Sequence, residues 1–159
     1  MWGVMRYVVG FAFLFCSLGC GGGSSVLSPP PVQASSGFSN SNLNGTYAYS
    51  GNGVGAGNLA ESAVGVVTAD GKGNISAGES TANIGGTICH LTSISGTYSV
   101  NSDGTGTASI TGTLDPQSIS NGCASGQSTL FLAIANGGNT VLLVNQSQNA
   151  VISYVGIKQ

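Results

Sequence analysis

An all-β domain of about eight antiparallel strands is the fold class that the 159-residue chain predicts. Three observations carry that reading. From Leu43 to the end, short segments with a two-residue apolar period follow one another. Gly-, Asn- and Asp-rich turn signals separate them, and no helical period occurs beyond the N-terminal segment. The chain is 41% hydrophobic with 27 glycines, rich in Val, Ile and Thr. Such residues suit short strands and tight turns, because β-branched side chains fit a pleated surface and Gly supplies positive φ.

The segments run in order. In "LNGTYAYS" (43–50), Leu43, Gly45, Tyr47 and Tyr49 share one face, so the strand is half-buried. "GNGVGAGN" (51–58) lacks the helix and βαβ context of a nucleotide loop and reads as a mobile loop at the rim. "AESAVGVVTA" (60–69) and "NISAGESTAN" (74–83) flank "DGKG", an Asp-Gly hairpin signal, and "LTSISGTYSV" (91–100) and "TASITGTL" (107–114) flank "NSDGTG". "TLFLAIA" (129–135) and "TVLLVNQ" (140–146) flank "NGGN", and "AVISYVGI" (150–157), apolar on both faces, closes the chain. "GTY" recurs at 45–47 and 96–98, an echo that shared hairpin chemistry explains without duplication.

Sequential hairpins make an up-and-down meander, and closing it into a small barrel removes edges that so few charges cannot protect. The alternative is a β-sandwich; an immunoglobulin-type one is disfavoured because Trp2, in the N-terminal segment, is the only tryptophan. Eight strands leave little interior space, and Ile94, Tyr98, Val100, Ile110, Leu114, Val141 and Leu143 are large enough to fill it. A filled interior is therefore expected. The glycines at 45, 65, 78, 96 and 112 are where room for a ligand would arise, and Gly96→Leu would then block it.

Cys89 stands at the start of one predicted strand, and the next hairpin returns to the same end at Leu114. The loop "DPQSISNGCASGQS" (115–128) therefore brings Cys123 to Cys89, and an oxidising compartment would bridge them. Such a bridge contributes about 3–4 kcal/mol on the chain-entropy model. The rival reading is a metal site using His90. Adjacent strand residues face opposite ways, and the chain has neither CxxC nor a second histidine.

Charge is scarce: Arg6, Lys72 and Lys158 against Glu61, Asp70, Glu79, Asp103 and Asp115. No basic stripe exists to neutralise phosphates, which excludes nucleic-acid binding. His90 is the sole histidine and no G-x-S-x-G elbow occurs. Glu61 and Glu79 fall on neighbouring strands, but an exposed strand face is the expected home of both. The Asp-Gly turns lack the alternating acidic ligands and closing Glu of a calcium loop. No catalytic residue, cofactor or metal is expected.

The N-terminus supplies an address. "MWGVMR" is followed by "YVVGFAFLF" (7–15), about half the length a bilayer span needs and typical of a signal-peptide apolar region. "SLGC" (17–20) resembles the bacterial lipobox, in which a small residue precedes a cysteine that becomes thioether-linked to diacylglycerol. The resemblance implies cleavage between Gly19 and Cys20 and lipidation of Cys20. Ser17 departs from the aliphatic residue the family prefers there, and Ser17 with Gly19 also fits ordinary signal peptidase. Bulky Phe15 makes Cys16 the poorer anchor. Residues 1–19 are thus the expected signal peptide, 20–42 a lipidated Gly/Ser/Pro tether reaching about 25–30 Å, and 43–159 the β domain. With the signal removed, two lysines face five carboxylates, a net charge of −3. Gly21 is not the aspartate that retains such proteins at the inner membrane of enteric bacteria, so the outer membrane is expected.

The pattern "GTY…, ADGxGNI…G, …GTY.V..DG.GT" across most of 43–114 resembles small uncharacterised lipoproteins of soil Gram-negative bacteria, notably acidobacteria. That resemblance implies an envelope protein and no assigned activity. The "GTY" strands and "DGTGTA" turn also look like the avidin and lipocalin meander at fold level; the domain has no tryptophan of the kind biotin sites use. Two expectations follow. One is a non-catalytic lipoprotein held on the membrane by its lipid, meeting an envelope protein or glycan through a Ser/Thr/Asn-rich surface. The alternative is a carrier with a small apolar ligand inside the barrel.

Overall fold

The computed structural model describes residues 37–159. The expected signal peptide, the Gly19–Cys20 cleavage point and the tether to residue 36 lie outside the described residues. Eight strands run β1 Asn44–Val54, β2 Ala60–Asp70, β3 Asn74–Ile84, β4 Thr87–Val100, β5 Thr105–Leu114, β6 Gln127–Ala135, β7 Thr140–Asn145 and β8 Val151–Lys158. Each pairs antiparallel with its sequence neighbour, and β8 returns to β1 through registers such as Tyr49↔Gly156 and Gly53↔Ile152. The sheet is a closed up-and-down barrel, not a sandwich.

The period of two sets which residues enter the barrel. Register pairs Tyr47↔Val67, Tyr49↔Gly65 and Gly53↔Glu61 place alternate residues of β1 and β2 on the inner face. A bulge between Thr68 and Ala69 and another between Leu91 and Ser93 change that phase locally in β2–β3 and β4–β5. The inner core gathers Leu43, Tyr47, Ala69, Ile75, Tyr98, Ala108, Leu130, Leu132 and Val141.

That core sits at one end, where the turns 71–73, 101–104 and 136–139 lie. A 3-10 turn, Asn40–Asn42, covers it. The Val100 amide donates to Asn40 Oδ1 at 2.8 Å. The two "GTY" tyrosines both reach down to main-chain carbonyls: Tyr98 donates to Leu43 at 2.6 Å and Tyr47 to Gly138 at 2.7 Å. Their burial without a polar partner would cost far more than the bond returns, so each hydroxyl fixes a specific backbone segment. The Asp-Gly turns work through their carboxylates. Asp70 Oδ1 accepts from the amides of Lys72 and Asn74 at 2.8 and 2.9 Å, while Gly71 and Gly73 take φ of 74° and 110°.

Two elements differ from the sequence reading. β1 continues through Gly51–Val54, so only residues 55–59 form the loop. Gly51 and Gly53 look like loop residues, but they are inner-face positions crowded by Tyr154 and by the Val151–Ile152 backbone, where a side chain has no room. Within 115–128 a five-residue helix, α1 Pro116–Ser120, forms. Asp115 caps it by accepting from the Ser118 amide at 2.6 Å, and Pro116 opens it.

Candidate functional site

The opposite end carries the loops 55–59, 85–86, 115–126 and 146–150. Below them the barrel interior holds a cavity of about 540 Å³ that reaches down to the core residues, Tyr47 and Leu132 among its lining. Its walls are mostly apolar and mix small inner-face residues, among them Ala63, Ala82, Ala108 and Gly112, with larger ones such as Leu91, Ile94, Leu114 and Ile152. The expected filled interior is thus corrected. The large residues singled out in the sequence belong to this interior without filling it: Tyr98, Val100, Ile110, Val141 and Leu143 pack in or against the core, while Ile94 and Leu114 stand in the cavity wall. Small residues hold the upper half of β2 and β3 open. An eight-stranded barrel of this kind has room for one small ligand.

Gly96 does not border that space. A Cβ there would lie 2.9 Å from Ile110 Cα, against the backbone of the neighbouring strand. Gly96→Leu would therefore push strands apart and is not a test of ligand binding, contrary to the sequence expectation. Ala63 and Ala82, paired across β2 and β3, are the positions from which a larger side chain would enter the cavity.

The mouth is covalently fastened. Cys89 and Cys123 form a disulfide with Cα atoms 5.9 Å apart. Cys89 lies inside β4, two residues past its start, and borders the cavity. Hydrogen bonds brace the same loop: the Asp115 amide donates to the His90 carbonyl at 3.1 Å, and the His90 amide donates to Ser118 Oγ at 2.7 Å. The His90 ring is on the exposed face, with Nδ1 2.8 Å from Thr81 Oγ1. Among the described residues no group of three or more His, Cys, Asp or Glu is gathered.

The main surprise is Glu61. It faces the cavity, whereas Glu79, paired with outward Val66, is exposed on the outside of the wall. The expectation that both carboxylates occupy an exposed face is corrected for Glu61, and no substrate can lie between the pair. Gly55 makes room for the Glu61 carboxylate: a Cβ at residue 55 would approach Oε2 to 2.8 Å. Partial burial raises the Glu61 pKa from its ordinary value. Two tyrosines line the same cavity, their rings edge to face with centroids 6.1 Å apart. Tyr154 titrates well above an ordinary phenol because of burial, then the Glu61 charge, then Tyr49. Tyr49 is raised by burial, with the Ser80 side chain acting in the opposite sense. The alternation of "AESAVGVVTA" already contained this result, since Glu61 is in phase with Ala63, Gly65, Val67 and Ala69.

The chain matches no protein-family model, no curated protein and no solved structure.

Proposed function

We propose that this protein is a non-catalytic, lipid-anchored envelope protein that carries a small, largely apolar ligand inside its barrel. The observation that supports it is the 540 Å³ apolar cavity, closed at one end by the core and bordered at the other by the disulfide-fastened loop. Cavities of this size and lining suit a single small molecule. The lipobox-like "SLGC" supports an anchor on Cys20, after cleavage at Gly19, and Gly21 supports the outer membrane as its site. Multiple acyl chains would give stable anchoring where one chain holds only marginally.

A second reading has its own observation. The outer face of β6–β8 exposes Phe131, Leu142, Val144, Val155 and Ile157 on adjacent strands, which favours a protein that works through its surface. Titration of the isolated domain with the neutral fluorophore N-phenyl-1-naphthylamine separates the two. The carrier reading expects saturable one-site binding that Ala63→Phe with Ala82→Phe abolishes and Leu142→Thr with Val144→Thr leaves intact. The reverse pattern, or no saturable binding, overturns it.

A further inference from the structure

We infer that the ligand is an amphiphilic amine, its protonated nitrogen received by Glu61 and its apolar body lying in the barrel. The inference rests on the carrier reading and deepens it. Among the described residues Glu61 is the only charged side chain in the cavity wall, which otherwise offers apolar groups, hydroxyls and amides. No cation in the described residues is placed to neutralise it. Lys72 lies in the β2–β3 turn, and Lys158, at the end of β8, pairs in register with Tyr47 of β1; both are at the closed end, the length of β2 away from Glu61.

Glu61 is half-buried, so its carboxylate loses part of its hydration against the apolar wall, which an opposite charge or donor in the cavity would compensate. The chain accommodates the carboxylate, with Gly55 leaving space for Oε2. The neighbouring groups favour the same sign of ligand. The Tyr49 and Tyr154 rings stand edge to face at the cavity wall, and aromatic faces attract a cation within about 6 Å. A carboxylate or phosphate head would meet Glu61 repulsively, and the described residues provide no arginine or lysine at this end to receive it. An alcohol head would satisfy a hydrogen bond but gain no ion pair. The ranking amine, then alcohol, then carboxylate follows from chemistry that differs only at the head group.

Isothermal titration of the disulfide-intact protein at neutral pH with n-octylamine, n-octanol and octanoate tests it. The amine is expected to bind about tenfold or more tightly than the alcohol, the gain of a charge-assisted hydrogen bond, and octanoate least. Glu61→Gln, nearly isosteric, is expected to remove the amine's advantage while leaving octanol affinity unchanged. Its melting curve checks that the barrel is folded, and Glu79→Gln is the control from outside the wall. Equal binding of amine and alcohol to the wild type, or no change in Glu61→Gln, overturns the amine inference while the carrier reading stands. Absence of binding by all three overturns both.

Discussion

Removing the Cys89–Cys123 bridge gives the most direct quantitative check on how the mouth is held. The cysteines are 34 residues apart in sequence. Closing a loop of that length restricts the unfolded chain by about 12.6 cal/mol/K on the loop-entropy relation, which is about 3.8 kcal/mol at 25 °C. For a domain of about 120 residues the unfolding entropy near the midpoint is about 0.26 kcal/mol/K, so the melting temperature should fall by about 15 °C. Calorimetry of Cys89→Ala/Cys123→Ala against wild type measures this. Wild type melted in a non-thiol reductant isolates the cross-link from the loss of the buried Cys89 side chain. Far-ultraviolet dichroism should be unchanged below the transition, because the Asp115–Ser118–His90 hydrogen bonds still brace the loop. A shift smaller than about 5 °C in both experiments would refute the reasoning, for it would mean that the reduced unfolded chain is already restricted or that the loop contributes nothing to stability.

Other perturbations follow from the closed end and the turns. Tyr98→Phe removes the hydroxyl that donates to Leu43, but that carbonyl also accepts from the Gly71 amide at 3.1 Å. The cost should therefore be near about 1 kcal/mol, about 4 °C in melting temperature, and a loss above about 3 kcal/mol by urea titration would contradict the shared-acceptor account. Gly96→Leu should destabilise by about 3 kcal/mol or more because its Cβ meets strand backbone; a variant that melts within a few degrees of wild type would show that β4 and β5 yield freely. Asp70 is held at about 2, first by the Asn74 side-chain amide and then by the Asn74 and Lys72 backbone amides. Its depressed pKa stabilises the fold above the ordinary carboxylate range, and this contribution disappears as pH falls through about 2. Urea midpoints of Asp70→Ala should lie below wild type at pH 7 and converge with it toward pH 2; a gap that is constant with pH would exclude the carboxylate as its source.

The strand phases were legible because every strand has one face inside the barrel, and a slip of one residue would expose that face. The Asp-Gly turns were legible because Asp70 and Asp103 both turn their carboxylates onto nearby amides. What escaped has identifiable causes. Gly51 and Gly53 carry no side chain by which to declare a strand, and their reason for being glycine is Tyr154 and the backbone of β8, distant in sequence. The helix at Pro116–Ser120 is too short to show a period, although Asp115-Pro116 is a start signal. Glu61 was in phase with the inner face, and the general preference of carboxylates for water opposed that reading. The cavity depends on where large and small inward residues fall along the barrel axis, which requires strand register as well as strand phase.

Native mass spectrometry of the full-length protein, extracted from its own membranes without reductant, tests the carrier claim most directly. The expected species is a chain lacking residues 1–19, bearing acyl chains and the Cys89–Cys123 disulfide, with one small non-covalent adduct that leaves on gentle activation and carries a basic nitrogen. Folded, acylated protein that repeatedly flies without any adduct would contradict it.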